Sequence, residues 1–377
     1  MTISFGMLST HPPTRCGLAT FNSALATELT GGVVRVTASG DDERPAPGVV
    51  HTWSGGVAGG WRGGADALNS FDVAVVQHEY GIYPGADGAD VLRLLHRLTV
   101  PSIVVLHTVL AHPSAGQKFV LEQVAAAAGA VVTMTGSGRD RLLLGYDVDA
   151  AKISVIPHGV TVDVGARPAR ARRSHLLTWG LLGPGKGIEW TLRALARLRD
   201  LDPSPRYTVA GQTHPKVVER EGEAYRDRLQ RLGALLGIGH AVNYQPNYHD
   251  PAALNTLVAS ADVVVLPYDS REQVTSGVLI EAVAAGIPVV ATAFPHAVEL
   301  LTDGRGLIVP HQDPAALAGA IRQVLKEPGL TRPGAAPTGN RCADLPISSR
   351  LRWPVVADRY KTLARRLVGA DATIDAA

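Results

Sequence analysis

Residues 262–300 read DVVVLPYDSREQVTSGVLIEAVAAGIPVVATAFPHAVEL. Asp262–Leu266 is a continuous β-branched run, the pattern of a strand buried on both faces, and Pro288–Ala291 repeats it after an apolar stretch of helical length. The unit is therefore βαβ, and the sheet it belongs to is parallel. The helix is expected to begin near Ser276 and Gly277, where a hydroxyl or a glycine suits an N-terminus, and to stop at Gly286, which suits a left-handed C-terminal residue. One carboxylate, Glu281, stands inside this otherwise apolar helix. Burying it without a partner would cost several kcal/mol. It is therefore expected either to touch a ligand, to pair with a core arginine or to lie at a solvent edge.

The first amides of such a helix are free of intrahelical partners, and the helix dipole adds positive potential there. Glu281 lies one turn from Gly277 on the same face, and helical side chains lean toward the N-terminus. A ligand with phosphates on the Ser276, Gly277 and Val278 amides could thus offer hydroxyls to Glu281. A nucleotide sugar has that shape.

The rest of the chain supports a folded enzyme-sized protein. Its 377 residues suffice for two domains, and 46% hydrophobic with 19% charged residues is the composition of a globular protein. A net charge of +2, from 36 basic and 34 acidic residues, leaves no electrostatic footprint for nucleic acid. Cys16 and Cys342 form neither a disulfide framework nor a metal-ligand spacing, which suits a reducing compartment, and no signal peptide or spanning segment is apparent. The expected location is the cytoplasm, and peripheral membrane contact stays open.

Short apolar runs at Ile3–Met7, Val73–Val76, Ile103–Leu106, Ala130–Thr133 and Ile153–Ile156 read as strands, with helical spacing over Leu18–Leu29, Val91–Leu98 and Lys118–Ala128. This predicts an α/β domain over 1–162. Residues 163–174, Arg-rich and without apolar period, read as a linker. A second α/β domain over 175–350 follows from strands at Leu176–Trp179, Tyr207–Ala210, Val242–Tyr244, Asp262–Leu266, Pro288–Ala291 and Leu307–Val309. Helices are expected between them at Ile188–Arg199, Lys216–Leu236 and Ala252–Ala259. Pro328–Ser349 reads as a loose surface loop, and Val355–Leu367 as a closing helix within a 351–377 tail that is expected to pack toward the N-terminal domain. The fold class is thus two doubly wound, Rossmann-like domains facing a central cleft, with ligands at the C-terminal ends of the strands.

A second motif lies in the later half. Gly180-Leu-Leu-Gly-Pro-Gly-Lys-Gly187 follows one strand and precedes a helix, the setting of a phosphate-cradling loop. It falls short of a P-loop because Gly187 stands where a hydroxyl would hold magnesium. Lys186 could still neutralise a diphosphate, and a tight turn with a solvated lysine is the competing reading.

Together, GLLGPGKGIEWTLRAL at 180–195, DVVVLP at 262–267 and SGVLIEAVAAGIPVVAT at 276–292 resemble the family 4 retaining glycosyltransferases of the GT-B fold, the glycosyl transferases group 1. Val155-Ile-Pro-His-Gly-Val160 looks like that family's strand before the linker, and Trp353 like its marker for the C-terminal helix. The resemblance implies metal-independent transfer of a hexose, mannose or glucose, from a GDP- or UDP-linked donor to a carbohydrate or glycolipid acceptor, with no cofactor beyond the donor itself. It further implies that Gly17, Gly183, Lys186, Thr275, Ser276, Gly277 and Val278 meet the diphosphate, that Glu281 holds the ribose, and that His107, Lys186 and Gln273 serve the reaction.

Two departures from the pattern stand out. Gln273, with Glu272 beside it, replaces the first glutamate of the family's Glu-x7-Glu motif, and Leu181 stands where the family has a diphosphate-binding arginine. Arg15 and Arg271 are candidates to supply the missing charge. The run Gln77-His78-Glu79-Tyr80 ends a strand and is a candidate acceptor surface; Tyr244, Gln245 and Tyr248 are candidate base contacts, with a core role as the alternative. Two rival readings are a NAD-dependent two-domain oxidoreductase and a non-catalytic nucleotide-sugar binder. The first expects Gly-x-Gly-x-x-Gly after the first strand, where the chain instead has STHPPTRCG.

Overall fold

A computed structural model of the chain describes residues 2–38, 46–161, 173–302, 304–327 and 347–374. They form two units, residues 1–159 with 351–377, and residues 160–350. Each is a doubly wound parallel α/β domain, as the sequence implied.

The first unit has a seven-stranded parallel sheet: β1 (Phe5–Ser9), β2 (Gly32–Thr37), β3 (Val49–Ser54), β4 (Val73–His78), β5 (Ser102–Leu106), β6 (Ala130–Thr133) and β7 (Ile153–Val155). Their spatial order is β3-β2-β1-β4-β5-β6-β7, so the winding direction reverses between β1 and β4. The second unit has six parallel strands: β8 (His175–Trp179), β9 (Arg206–Ala210), β10 (Val242–Gln245), β11 (Val263–Leu266), β12 (Val289–Thr292) and β13 (Gly306–Val309). Their order, β10-β9-β8-β11-β12-β13, reverses between β8 and β11. In such sheets the C-terminal strand ends at the reversal open a crevice for ligands.

Alternation along the strands builds two apolar layers in the second unit. Leu176, Val263, Val265 and Val290 pack with Ile188, Leu192, Leu229 and Ile321 on one face. Leu177, Val264, Leu266 and Val289 pack with Leu279, Ala282 and Val283 on the other. In the first unit the closing helix, Trp353–Ile374, packs Trp353, Val356 and Tyr360 into the cluster of Met7, Phe21 and Val105. Gly159 is fitted to Trp353, because a β-carbon there would enter the indole.

Several elements differ from the sequence reading. β2 and β3 were not expected: Arg35 interrupts the run in β2, and His51 and Thr52 interrupt that in β3. The helices Trp61–Leu68, Gly136–Gly145, Pro295–Leu301 and Pro314–Lys326 also went unread. The single helix expected over Lys216–Leu236 is two, Pro215–Glu221 and Ala224–Leu235, separated at Gly222, whose positive φ of 60° no right-handed helix can carry. Most of the 163–174 linker and residues 328–346 lie outside the described residues; Ile347–Arg350, read as loop, is helical at its end.

Candidate functional site

The helix Gly277–Ala284 begins as its sequence requires. The Ser276 hydroxyl accepts from the Leu279 amide at 3.3 Å, and Gly286 ends the segment with φ 66°. The amide set is narrower than expected, however. The Ser276 N–H donates to Nδ1 of the buried His296 at 2.8 Å, so the lone pair of an imidazole already takes that amide. The Gly277 and Val278 amides have no protein acceptor among the described residues. They are the two that remain for an anion.

Glu281 sits one turn in. Its Oε2 accepts from the Trp179 indole N–H at 3.2 Å, and no Lys, Arg or His of the described residues pairs with it. The core-arginine alternative is thereby removed. Burial pushes its carboxyl up to about 7, and the indole hydrogen bond offsets only part of that shift. The group is poised to accept hydroxyl hydrogens and is stabilised as an anion when it does.

Lys186 approaches the same strand ends from the loop after β8. Its own amide closes a turn on the Gly183 carbonyl at 3.1 Å, and its ammonium lies 4.5 Å from the centre of the Tyr268 ring, which stacks on Phe294. An aromatic face holds the cation in place without neutralising it as a carboxylate would. The tight turn of the competing reading is present, with the lysine resting on an aromatic ring. Gly187, at φ 65°, would drive any β-carbon into the Pro267 carbonyl, which explains why no hydroxyl residue stands at that position. His214, half-buried beside Lys186, was not anticipated; burial first and then Lys216 and Lys186 hold it below the usual imidazole range.

Gln273 turns back on its own loop, donating Nε2 to the Thr275 carbonyl at 3.1 Å, and among the described residues Oε1 has no donor. Thr275 thus contributes its carbonyl to the turn. Arg271 is exposed, as are Arg15 and Gly17 in the first unit, where Gly17 opens its helix with free space around its α-carbon. Leu181 is half-buried. Tyr244 packs against the core of its unit and its hydroxyl is pushed up to about 12 by burial, the core role weighed above; Tyr248 is exposed.

In the first unit His107 follows β5, and its backbone N–H continues the ladder to the His78 carbonyl at 3.1 Å. Its Nε2 lies 2.8 Å from Gln77 Oε1, which fixes the ring with Nε2 as donor, and Phe21 meets it edge-on at 4.9 Å. Burial, with His158 and His78 nearby, drives its pKa down to about 3. It is a neutral hydrogen-bonding group at working pH. His78 is fully buried with neither ring nitrogen partnered, pushed to about 4 by burial, so it lies beneath the surface rather than on it. Glu79 accepts from the Thr108 hydroxyl at 2.5 Å.

Trp179, Tyr268 and His296 are the partners that sequence reasoning missed. The only signal was position, since Trp179 ends the strand before the glycine loop. Among the described residues no group of three or more His, Cys, Asp or Glu could hold a metal ion, and no helix is long and apolar enough to cross a membrane.

Comparison with known proteins bears on the family and the fold. Residues 19–164 match the model of Glycosyltransferase Family 4, and residues 173–327 that of Glycosyl transferases group 1. D-inositol 3-phosphate glycosyltransferase of Acidothermus cellulolyticus is 34% identical over 236 residues, covering 58% of this chain and 50% of that protein. Its counterpart in Frankia alni is 29% identical over 331 residues, covering 78% and 79%. The chain spans about half the length of the first curated relatives it matches. In fold it is similar to Anabaena HepE crystallised with UDP, with a TM-score of 0.76 at 17% identity, over 97% of this chain and 100% of that one.

Proposed function

The chain belongs to the family 4 glycosyltransferases of GT-B fold, and from that premise we propose that it moves a hexose, mannose or glucose, from a GDP- or UDP-linked donor to an acceptor hydroxyl with retention at the anomeric carbon. The observation that carries the reading is the helix tip itself: among the described residues, two amides without acceptors, a lysine balanced on an aromatic ring, and one turn further a carboxylate whose one partner is an indole. The diphosphate takes the Gly277 and Val278 amides and Lys186; the ribose hydroxyls take Glu281. That the fold neighbour HepE was crystallised with UDP and with UDP-glucose supports a nucleotide-sugar donor.

In this mechanism the protein's work is electrostatic. As the glycosidic bond breaks, negative charge grows on the leaving diphosphate, and donors already oriented by the fold stabilise that charge more than they stabilise the ground state. Gln273, uncharged, hydrogen-bonds the transferring sugar. No metal is assigned a role, and turnover that EDTA abolishes would contradict this.

The test is nucleotide titration of the wild type and Glu281→Gln. A loss of a carboxylate–hydroxyl pair predicts roughly 10- to 100-fold weaker binding; unchanged affinity refutes the site. Leu181 and Gln273, which break the family pattern, favour a second reading, a binder without turnover. Slow donor hydrolysis in the absence of acceptor excludes it.

A further inference from the structure

The first unit contains a buried charge that no described residue balances. On the face of its sheet that packs under Phe21 and Leu25, strand alternation lines up Met7, Val33, Val75 and Val105. The residues next in phase toward the strand ends are Ser9, Arg35, Thr37 and Gln77. All four are buried, Arg35 to 1% exposure. Its Nη2 donates to Thr52 at 3.3 Å, while Nε and Nη1 meet no acceptor and no carboxylate pairs with it among the described residues.

The neighbours are unsatisfied too. Ser9 Oγ, Thr37 Oγ1, Gln77 Nε2 and both amide atoms of the buried Asn22 have no partner. His11, on the loop after β1, lies near enough that burial and then the Arg35 charge hold its pKa low, so it adds no competing proton. A cation and several hydroxyl and amide groups left unpaired together are costly in a protein interior. They complement one chemistry, an oxyanion able to accept several hydrogen bonds from a guanidinium fork and its surroundings. Arg35 is in register with Ser9, on the strand beside the reversal between β1 and β4, and close to the strand ends where such sheets take ligands.

We propose that Arg35, with Ser9, Asn22, Thr37 and Gln77, forms an anion site in the first unit that binds a phosphate or carboxylate carried by the sugar acceptor. The word acceptor rests on the transferase reading; the site itself does not.

The experiment is thermal unfolding of the full chain in increasing inorganic phosphate or malonate, for the wild type, Arg35→Met, Arg35→Lys and Lys186→Ala. The wild type and Lys186→Ala should be stabilised by an anion. Arg35→Met, made in the Lys186→Ala background so that the helix tip contributes little, removes an unpaired buried charge and should fold at least as well without anion and lose the response, its apparent affinity falling roughly 10-fold or more. Arg35→Lys, which keeps the charge but not the fork, should respond more weakly than the wild type. Phosphate against malonate separates the two sources of the anion. An equal response in Lys186→Ala with and without Arg35→Met, a response lost in Lys186→Ala itself, or no response to either anion overturns the site. With a nucleotide-sugar donor, the wild type should favour a hexose phosphate or hexuronate over the neutral hexose, and Arg35→Met should lose the preference; a wild type without it refutes the acceptor assignment. No transfer to any acceptor would sink the transferase reading while the anion response still stood or fell on its own.

Discussion

Burial acts on Glu281 and on His107 in the same physical way and leaves them with opposite uses. Each is held in its neutral form, but the carboxyl is lifted to about 7, into the working range, while the imidazole is lowered to about 3, out of it. The glutamate can therefore exchange a proton when a ligand arrives, whereas the histidine is a fixed dipole. The buried carboxyl of the second unit is set to respond to charge, and the buried histidines of the first unit are set to exclude it.

The largest consequence is in acid. His78, His107 and His158 are all depressed by burial, so between pH 6.5 and about 3 the unfolded chain binds more protons than the folded one, and stability falls as pH falls. Together they should cost on the order of 10 kcal/mol across that window. Hydrogen exchange as a function of pH should show residues 1–159 opening first below about pH 5. If residues 160–350 open at the higher pH, the contrast between the units is wrong.

Lys186→Ala attacks the donor side directly. No ion pair holds Lys186 among the described residues, and in the proposed function it serves the anion at the helix tip. Losing one preorganised donor to a developing charge costs about 100- to 1,000-fold in kcat. A loss confined to KM would instead mean that Lys186 only binds the ground state.

How far the sequence disclosed all this varies with the reach of each contact. The helix 277–284 and its flanking strands were legible because Ser276, Glu281 and Gly286 act within one continuous segment. So were most of the strands, whose β-branched runs are buried on both faces. β2 and β3 were not, because Arg35, His51 and Thr52 break the apolar run, and the helix Pro314–Lys326 followed no motif that drew attention. The partners of the site were hidden for a different reason. Trp179 meets Glu281 across 102 positions, and His296 takes the Ser276 amide across 20. No local pattern encodes a pairing that only the folded sheet creates.

Glu281→Gln sharpens the comparison from the other side. Because the folded carboxyl titrates near 7 and the unfolded one near 4.5, the unfolded chain loses its proton first, and stability declines as pH rises between those values. The substitution should therefore raise apo stability at pH 8 by roughly 2–3 kcal/mol while weakening nucleotide binding. Wild-type affinity should itself climb as pH passes through 7, since ribose hydroxyls favour the carboxylate. A denaturant midpoint that is unchanged at pH 8 would show that Glu281 is not buried enough to matter.

The smallest effect tests the seal on the histidines. Trp353 lies edge-on to Phe21 at 5.0 Å and tilted over His158 at 5.6 Å, while Phe21 in turn covers His107. Gly159 leaves the space that the indole fills. Gly159→Ala must push the ring outward, an overpacking cost of about 1–3 kcal/mol. Water then reaches His158, whose depressed pKa should move back toward 6.5, and the acid transition of the first unit should shift with it. NMR titration of the histidine ring protons measures both. If stability falls and the imidazole stays where it was, its low pKa comes from the fold beneath it and Trp353 is not the seal.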